Sequence, residues 1–181
     1  DFFIELGIDL IDADMISKDI LDNNLKAKEL FIENFGEIYI DENNNINRDL
    51  LREDIFKDAN KKEKLESIIH PFVREDITEF ITKSNSIYKI IMVPLIYETK
   101  SQDFYDKIIL IDCDEDYQIK RASQRDEKSK EDIINIIKNQ ATREERQSIA
   151  DEIILNNSTL DDLKNQVIKV HQRLLGIDIN E

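Results

Sequence analysis

Glycine is scarce: the 181 residues contain only Gly7, Gly36 and Gly176. They lie too far apart to form a G-x-x-x-x-G-K-[ST] phosphate loop or a G-x-G-x-x-G turn, so a nucleotide bound here would lack its usual cradle within this sequence. A single cysteine, Cys113, excludes an intrachain disulfide and a thiolate zinc cluster, and two histidines, His70 and His171, cannot build a His-rich metal site. No metal-ligand set is expected, and a reducing cytoplasm fits. No apolar run approaches the roughly 18 to 20 residues of a membrane span, and the acidic start from Asp1 to Asp14 lacks the basic region of a signal peptide.

What remains is a charged chain with a modest apolar share. Hydrophobic residues make up 40% and charged residues 36%, and 25 Lys+Arg against 40 Asp+Glu leave a net charge of -15. That balance argues against nucleic acid and anionic membranes as partners. The length suits one domain, or a core domain with small subdomains.

Four short apolar runs rich in β-branched residues read as strands: Ile8 to Ile11, Ile90 to Val93, Ile108 to Ile111 and Ile153 to Leu155. Their continuous apolarity predicts strands covered on both faces of a parallel α/β sheet. Helical spacing of Leu163, Val167, Val170 and Leu174 marks a final helix, Thr142 with Glu145 matches a capping box, Ser129 with Asp132 is a weaker one, and Gly176 suits a helix end. The stretch from Met15 to Lys83 reads as a helical insertion, with a polar turn at Asp41 to Asn47 and a break between two helices at His70-Pro71. The expected organisation is a core at 1–14, 84–116 and 147–181, a helical domain at 15–83 and a smaller excursion at 117–146.

Ligands of open α/β sheets bind beyond the carboxyl ends of the strands. Those ends carry Asp12 and Asp14, then Glu98, then Asp112 and Asp114, then Asn156 and Asn157. Asp14, just before Met15, would equally suit a helix cap. Four of the eight arginines, Arg121, Arg125, Arg143 and Arg146, fall in the segment Tyr117 to Gln147, where eight basic residues meet six acidic ones. Arg121 and Arg125, at i and i+4, can present two guanidinium forks to phosphate oxygens, or else form surface ion pairs with neighbours such as Asp126. His70 sits at the joint with Arg74 one turn later, and Cys113 reads as a small buried apolar residue.

In order along the chain, Leu6-Gly-Ile-Asp-Leu-Ile-Asp-Ala-Asp14, Ile69-His-Pro71, Val93-Pro-Leu-Ile-Tyr-Glu98, Arg121-Ala-Ser-Gln-Arg-Asp126 and Gln140-Ala-Thr-Arg-Glu-Glu-Arg146, followed by Ala150-Asp151, resemble the dephospho-CoA kinases. Each motif is short, but the ordered set spans essentially the whole chain. The resemblance implies a P-loop kinase fold, an α/β/α core with a helical CoA-binding insertion and a lid, and transfer of the ATP γ-phosphate to the ribose 3'-hydroxyl of dephospho-CoA, with Mg²⁺. It implies Asp14 as the base for that hydroxyl with Asp12 in support, and Glu98, His70 and Arg74 on the acceptor side. It further implies Arg121 and Arg125 in the lid, Arg146 on the helix after it, and Asn156 near the nucleotide.

Two departures accompany the match: Lys18 stands where the family has arginine, keeping charge but losing the bidentate fork, and Asn156-Asn-Ser158 stands for Asn-x-Gly. The resemblance also sets the family's phosphate loop ahead of the helix in which this chain begins. The expectation is an upstream extension of about twenty residues, a strand and a loop opening that helix, without which the chain would be inactive. Two alternatives fit the same residues: a non-catalytic CoA- or nucleotide-binding module without a P-loop, and a nucleotide kinase with another acceptor.

Overall fold

The computed structural model describes residues 1–177. In chain order it runs α1 (Phe2–Glu5), β1 (Asp9–Asp12), α2 (Ala13–Asn23), α3 (Leu25–Phe35), α4 (Arg48–Lys57), α5 (Ala59–Lys83), β2 (Lys89–Met92), β3 (Ile109–Asp112), α6 (Glu115–Asp126), α7 (Lys130–Lys138), α8 (Arg143–Ser148), β4 (Glu152–Leu155) and α9 (Leu160–Leu174). Each strand ends one residue later than its apolar run or coincides with its end, except β2, which ends one earlier. Most helix starts are set by a side chain that accepts an otherwise orphaned N–H: Asp12 for α2, Asn24 for α3, Asn47 for α4, Asp58 for α5, Ser129 for α7, Thr142 for α8 and Thr159 for α9. Such a cap contributes about 1 kcal/mol. The capping box of Thr142 and Glu145 is complete. Gly176, at φ +69°, takes the left-handed turn after α9 that a side chain would resist.

The chain forms two compact units, Gly7–Pro94, and Asp1–Leu6 together with the segment from Leu95 onward. In the first, β1 and β2 pair in parallel from Asp9↔Lys89 to Asp12↔Met92. Helices α2 to α5 connect them and enclose Ile20, Leu21, Ala27, Phe31, Tyr39, Ile46, Leu51, Ile69 and Phe72. Phe31 stacks on Phe35 at 4.9 Å and meets Tyr39 edge-on at 5.9 Å. The buried hydroxyl of Tyr39 donates to Asp54 at 2.6 Å, and Lys61 reaches the same carboxylate at 3.0 Å, so the polar tip is not stranded in the core. The turn at 41–47 is organised by Asp41, which accepts the N–H groups of Asn43 and Asn45, while Ile40 and Ile46 bridge across it.

One local expectation fails here. His70-Pro71 does not break the helix, because α5 runs unbroken through Pro71. Proline inside a helix costs about 3 kcal/mol or more through its missing N–H and ring clash. The flanking Ile69 and Phe72 are buried at 7% and 8% exposure and hold both halves of α5 to the same core. Two such side chains contribute roughly 1.5–3 kcal/mol each, enough to offset the proline.

In the second unit, β3 and β4 pair in parallel from Ile109↔Glu152 to Asp112↔Leu155. Ile154, Val167 and Val170 form its buried centre, with Phe2, Phe3, Leu6, Ile109, Leu163 and Leu174 packed around them. Thus α9 buries the face that its spacing foretold, and Lys164 of α9 ties α1 through Glu5 at 2.7 Å. Coverage of both strand faces is not observed: Ile111, Ile153 and Leu155 are 55%, 40% and 43% exposed. In β4, Ile154 is buried with Val167 and Val170 of α9 while its strand neighbours Ile153 and Leu155 stay exposed, so the continuous apolar pattern overstates the burial here.

Six carboxyls are held below their ordinary range by bonds to their charged form: Asp41 by the Asn45 backbone, Asp54 by Tyr39, Asp126 by Arg125, Glu145 by the Thr142 backbone, Asp151 by Lys107 and Asp162 by Thr159. Burial pushes Asp76 the other way. A depressed folded pKa gives stability that is complete above the unfolded value and lost as pH falls through the folded one. Relief of the net charge of -15 acts oppositely on the first stage of acidification. The thermal midpoint should therefore peak near pH 5 and fall below about pH 4, and a midpoint still rising at pH 3 would contradict this accounting.

Candidate active site

In the unit of β1 and β2, the first strand ends at Asp12, and the two carboxylates beyond it have different jobs. Asp12 is the cap of α2: its Oδ1 accepts the N–H groups of Asp14 at 2.9 Å and Met15 at 3.2 Å. Asp14, already inside the helix, carries a side chain 51% exposed that meets Lys18 Nζ at 2.5 Å one turn on. The capping alternative for Asp14 is thereby excluded. His70 and Arg74 are exposed on α5, and Arg74 lines an open groove along that helix with Pro71, Glu75 and Thr78.

In the other unit, the carboxyl ends of β3 and β4 are cross-linked. Asn156 donates its N–H to the Asp112 carbonyl at 2.7 Å, and Asn157 Oδ1 accepts the Asp114 N–H at 2.8 Å. Arg121 donates to the Asn156 carbonyl at 2.7 Å while its guanidinium lies 5.3 Å from the Tyr117 ring centre. Asp112, 4% exposed, accepts Nε of Arg143 at 2.7 Å, forms an ion pair with its NH2 at 2.7 Å, and is reached by Gln147 at 3.1 Å. Glu98 accepts the Ala141 N–H at 2.8 Å, and Arg146 donates to the Ala141 carbonyl. Arg125 closes its fork on the adjacent Asp126 at 2.7 and 2.9 Å, with 77% of its side chain exposed. Cys113 is half-buried rather than buried as expected, and burial pushes its thiol up, which disfavours a thiolate.

The fold thus brings Arg121 to Asn156, joins Glu98 and Arg146 through Ala141, and sets Asp12 beside Asp14. The lone Arg125 is drawn onto Asp126, the ion-pair partner foreseen for it. Arg143 and Gln147 were not singled out by the sequence as site residues, although an acidic residue closing the run Ile-Ile-Leu-Ile-Asp112 was a signal that something basic must meet it.

The family sequence model described as dephospho-CoA kinase matches residues 1–162. The chain belongs to the dephospho-CoA kinase family. The dephospho-CoA kinase of gamma-proteobacterium EBAC31A08 is 51% identical over 181 residues, covering 100% of this chain and 91% of that enzyme. Among solved structures, dephospho-CoA kinase from Campylobacter jejuni superposes with a TM-score of 0.67 at 30% identity, covering 96% of this chain and 90% of its own. TT1252 from Thermus thermophilus gives a TM-score of 0.80 at 21% identity, over 96% and 88%. The parallel strands and intervening helices are the P-loop kinase fold of the dephospho-CoA kinases. Lys18 offers a single Nζ, and that Nζ is engaged by Asp14.

Proposed function

We propose that this member of the dephospho-CoA kinases performs the family reaction with the residues described above. The reaction transfers the γ-phosphoryl group of ATP to the ribose 3'-hydroxyl of dephospho-CoA, giving coenzyme A and ADP. Asp14 takes the hydroxyl proton as the oxygen attacks phosphorus, the bond to the ADP oxygen breaks, and the proton rests on the Asp14 carboxyl. Arg125, with Arg121 and Arg146, faces the charge that spreads over the transferring oxygens, since phosphoryl transfer needs positioning and charge stabilisation above all. Asn156 supports the nucleotide, and Asp12, His70 and Arg74 serve the acceptor side, with residues 15–83 as the acceptor-binding domain and 117–146 as the lid.

One observation carries this reading: the family model described as dephospho-CoA kinase matches residues 1–162. Among the described residues no group of three or more His, Cys, Asp or Glu is arranged to hold a metal ion. Mg²⁺ belongs to the same proposal, since in nucleotide enzymes it rests on phosphate oxygens, water and only one or two protein oxygens. No helix among the described residues is long and apolar enough to cross a membrane, and a cytoplasmic location with small-molecule partners belongs to the same reading.

The test uses protein expressed from its whole reading frame, incubated with ATP, Mg²⁺ and dephospho-CoA. The expected result is ADP released in step with coenzyme A, its new phosphate on the 3' position. Folded protein that releases no ADP, or that prefers a nucleoside monophosphate as acceptor, overturns the reading.

A further inference from the structure

Asp112 is the one buried charged side chain among the described residues, at 4% exposure. A carboxylate is taken out of water at high cost unless its oxygens are paired. Its partners come from far along the chain: Arg143 at 2.7 Å and Gln147 at 3.1 Å, both on α8. The same guanidinium extends NH1 to Asp114 at 3.2 Å, so Arg143 spans both acidic residues at the end of β3. Glu98 accepts the N–H of buried Ala141 at 2.8 Å, and Tyr97 donates to Glu145 at 3.3 Å.

These bonds surround one short element. Helix α8 has six residues, far below the roughly 12 to 15 at which a helix persists by itself. Its capping box closes the first turn but does not orient it. Orientation must come from outside anchors, and those are Asp112 with Asp114 on the Arg143 side and Glu98 on the Ala141 side. Arg146 lies on this helix and donates to the Ala141 carbonyl, the other polar group of the residue that Glu98 holds.

We infer that Asp112 and Glu98 form a two-carboxylate clamp that positions α8, and through it Arg146, for contact with phosphate. The inference rests on the role given to Arg146 above. It also assigns Glu98 a different task from acceptor binding: its bond goes to the backbone of Ala141, so its loss acts on the nucleotide side. Asp112 and Glu98 are positioning residues, acting through Arg146.

The experiment compares Asp112→Asn, Glu98→Ala and Arg146→Ala, singly and in pairs, in protein from the whole reading frame. Asparagine keeps the shape of Asp112 but loses the charge, and the exposed Glu98 can be truncated without opening the core, so a folding failure at Asp112 leaves the second carboxylate as the test. Misplacing a phosphate contact is expected to lower kcat/KM for ATP roughly 10- to 100-fold, with KM for dephospho-CoA unchanged. Amide exchange in residues 141–148 should quicken in both carboxylate variants. On the Arg146→Ala background, each carboxylate substitution should cost less than about threefold more, because the group they position is gone.

Full additivity of the rate losses overturns the clamp while leaving the role of Arg146 standing. A raised KM for dephospho-CoA in Glu98→Ala, with unchanged exchange at 141–148, returns Glu98 to the acceptor side and overturns its place in the clamp. Parent rates in Arg146→Ala refute the role of Arg146 in the proposed site, and the catalytic purpose of the clamp with it.

Discussion

Asp14→Asn is expected to slow phosphoryl transfer by about 10²- to 10⁴-fold, the contribution of a positioned general base. The amide keeps the size of the carboxyl but cannot take the hydroxyl proton. The fold allows this substitution to be read cleanly, because the helix start depends on Asp12 and not on Asp14. Asp14 bonds only its neighbour Lys18 among the pairs at this helix end, a half-exposed contact of the kind that contributes little to stability. The thermal midpoint should therefore hold while kcat falls. Asp12→Asn is the matching comparison: asparagine caps as well as aspartate, so the helix start is kept, and with its supporting role Asp12 should cost less turnover than Asp14. Equal turnover in the parent and Asp14→Asn would remove the base from the mechanism.

Arg125→Lys should lower kcat by about 10²-fold or more, the scale for losing one preorganised donor to developing charge. Charge is conserved, so only the loss of the planar two-donor fork is measured. In the structure that fork is occupied by Asp126, which pulls the guanidinium pKa up and the carboxyl pKa down. An arginine serving only this exposed pair would tolerate lysine. An arginine that leaves Asp126 for phosphate would not, and Asp126→Asn should then leave turnover intact while Arg125→Lys impairs it. The loss is expected in the rate at saturating ATP, with dephospho-CoA binding unchanged. Parent turnover in Arg125→Lys would shift the charge-stabilising role to Arg121 or Arg146.

The strands were legible because four β-branched runs in a helical, charged sequence leave few other assignments, and α9 because its apolar residues recur at helical spacing. The capping box at Thr142 was legible because it is local, three residues wide. Misreadings arose where local preference met distant packing. Pro71 looks like a terminator until Ile69 and Phe72 are seen to bury on either side of it. Asp12 and Asp14 are equivalent as letters, and only the backbone N–H directions tell the cap from the projecting carboxylate. The union of Asp112 with Arg143 leaves no periodic trace at all, since it depends on a parallel strand end meeting a helix from another part of the chain.

The pairing of Asp9 with Lys89 has a consequence for the order in which the Gly7–Pro94 unit folds. Joining strand ends so distant in sequence costs loop-closure entropy before any strand contact repays it. Helix α2 follows β1 with no intervening residue, and α5 ends shortly before β2. Ile20 and Leu21 of α2 share one apolar cluster with Ile69 and Phe72 of α5. Collapse of the helices onto that cluster therefore carries the two strands toward each other and shortens the effective loop. The strand pair is expected to close last, so that substitutions in the Ile20 and Phe72 cluster should slow refolding more than substitutions in β1 or β2.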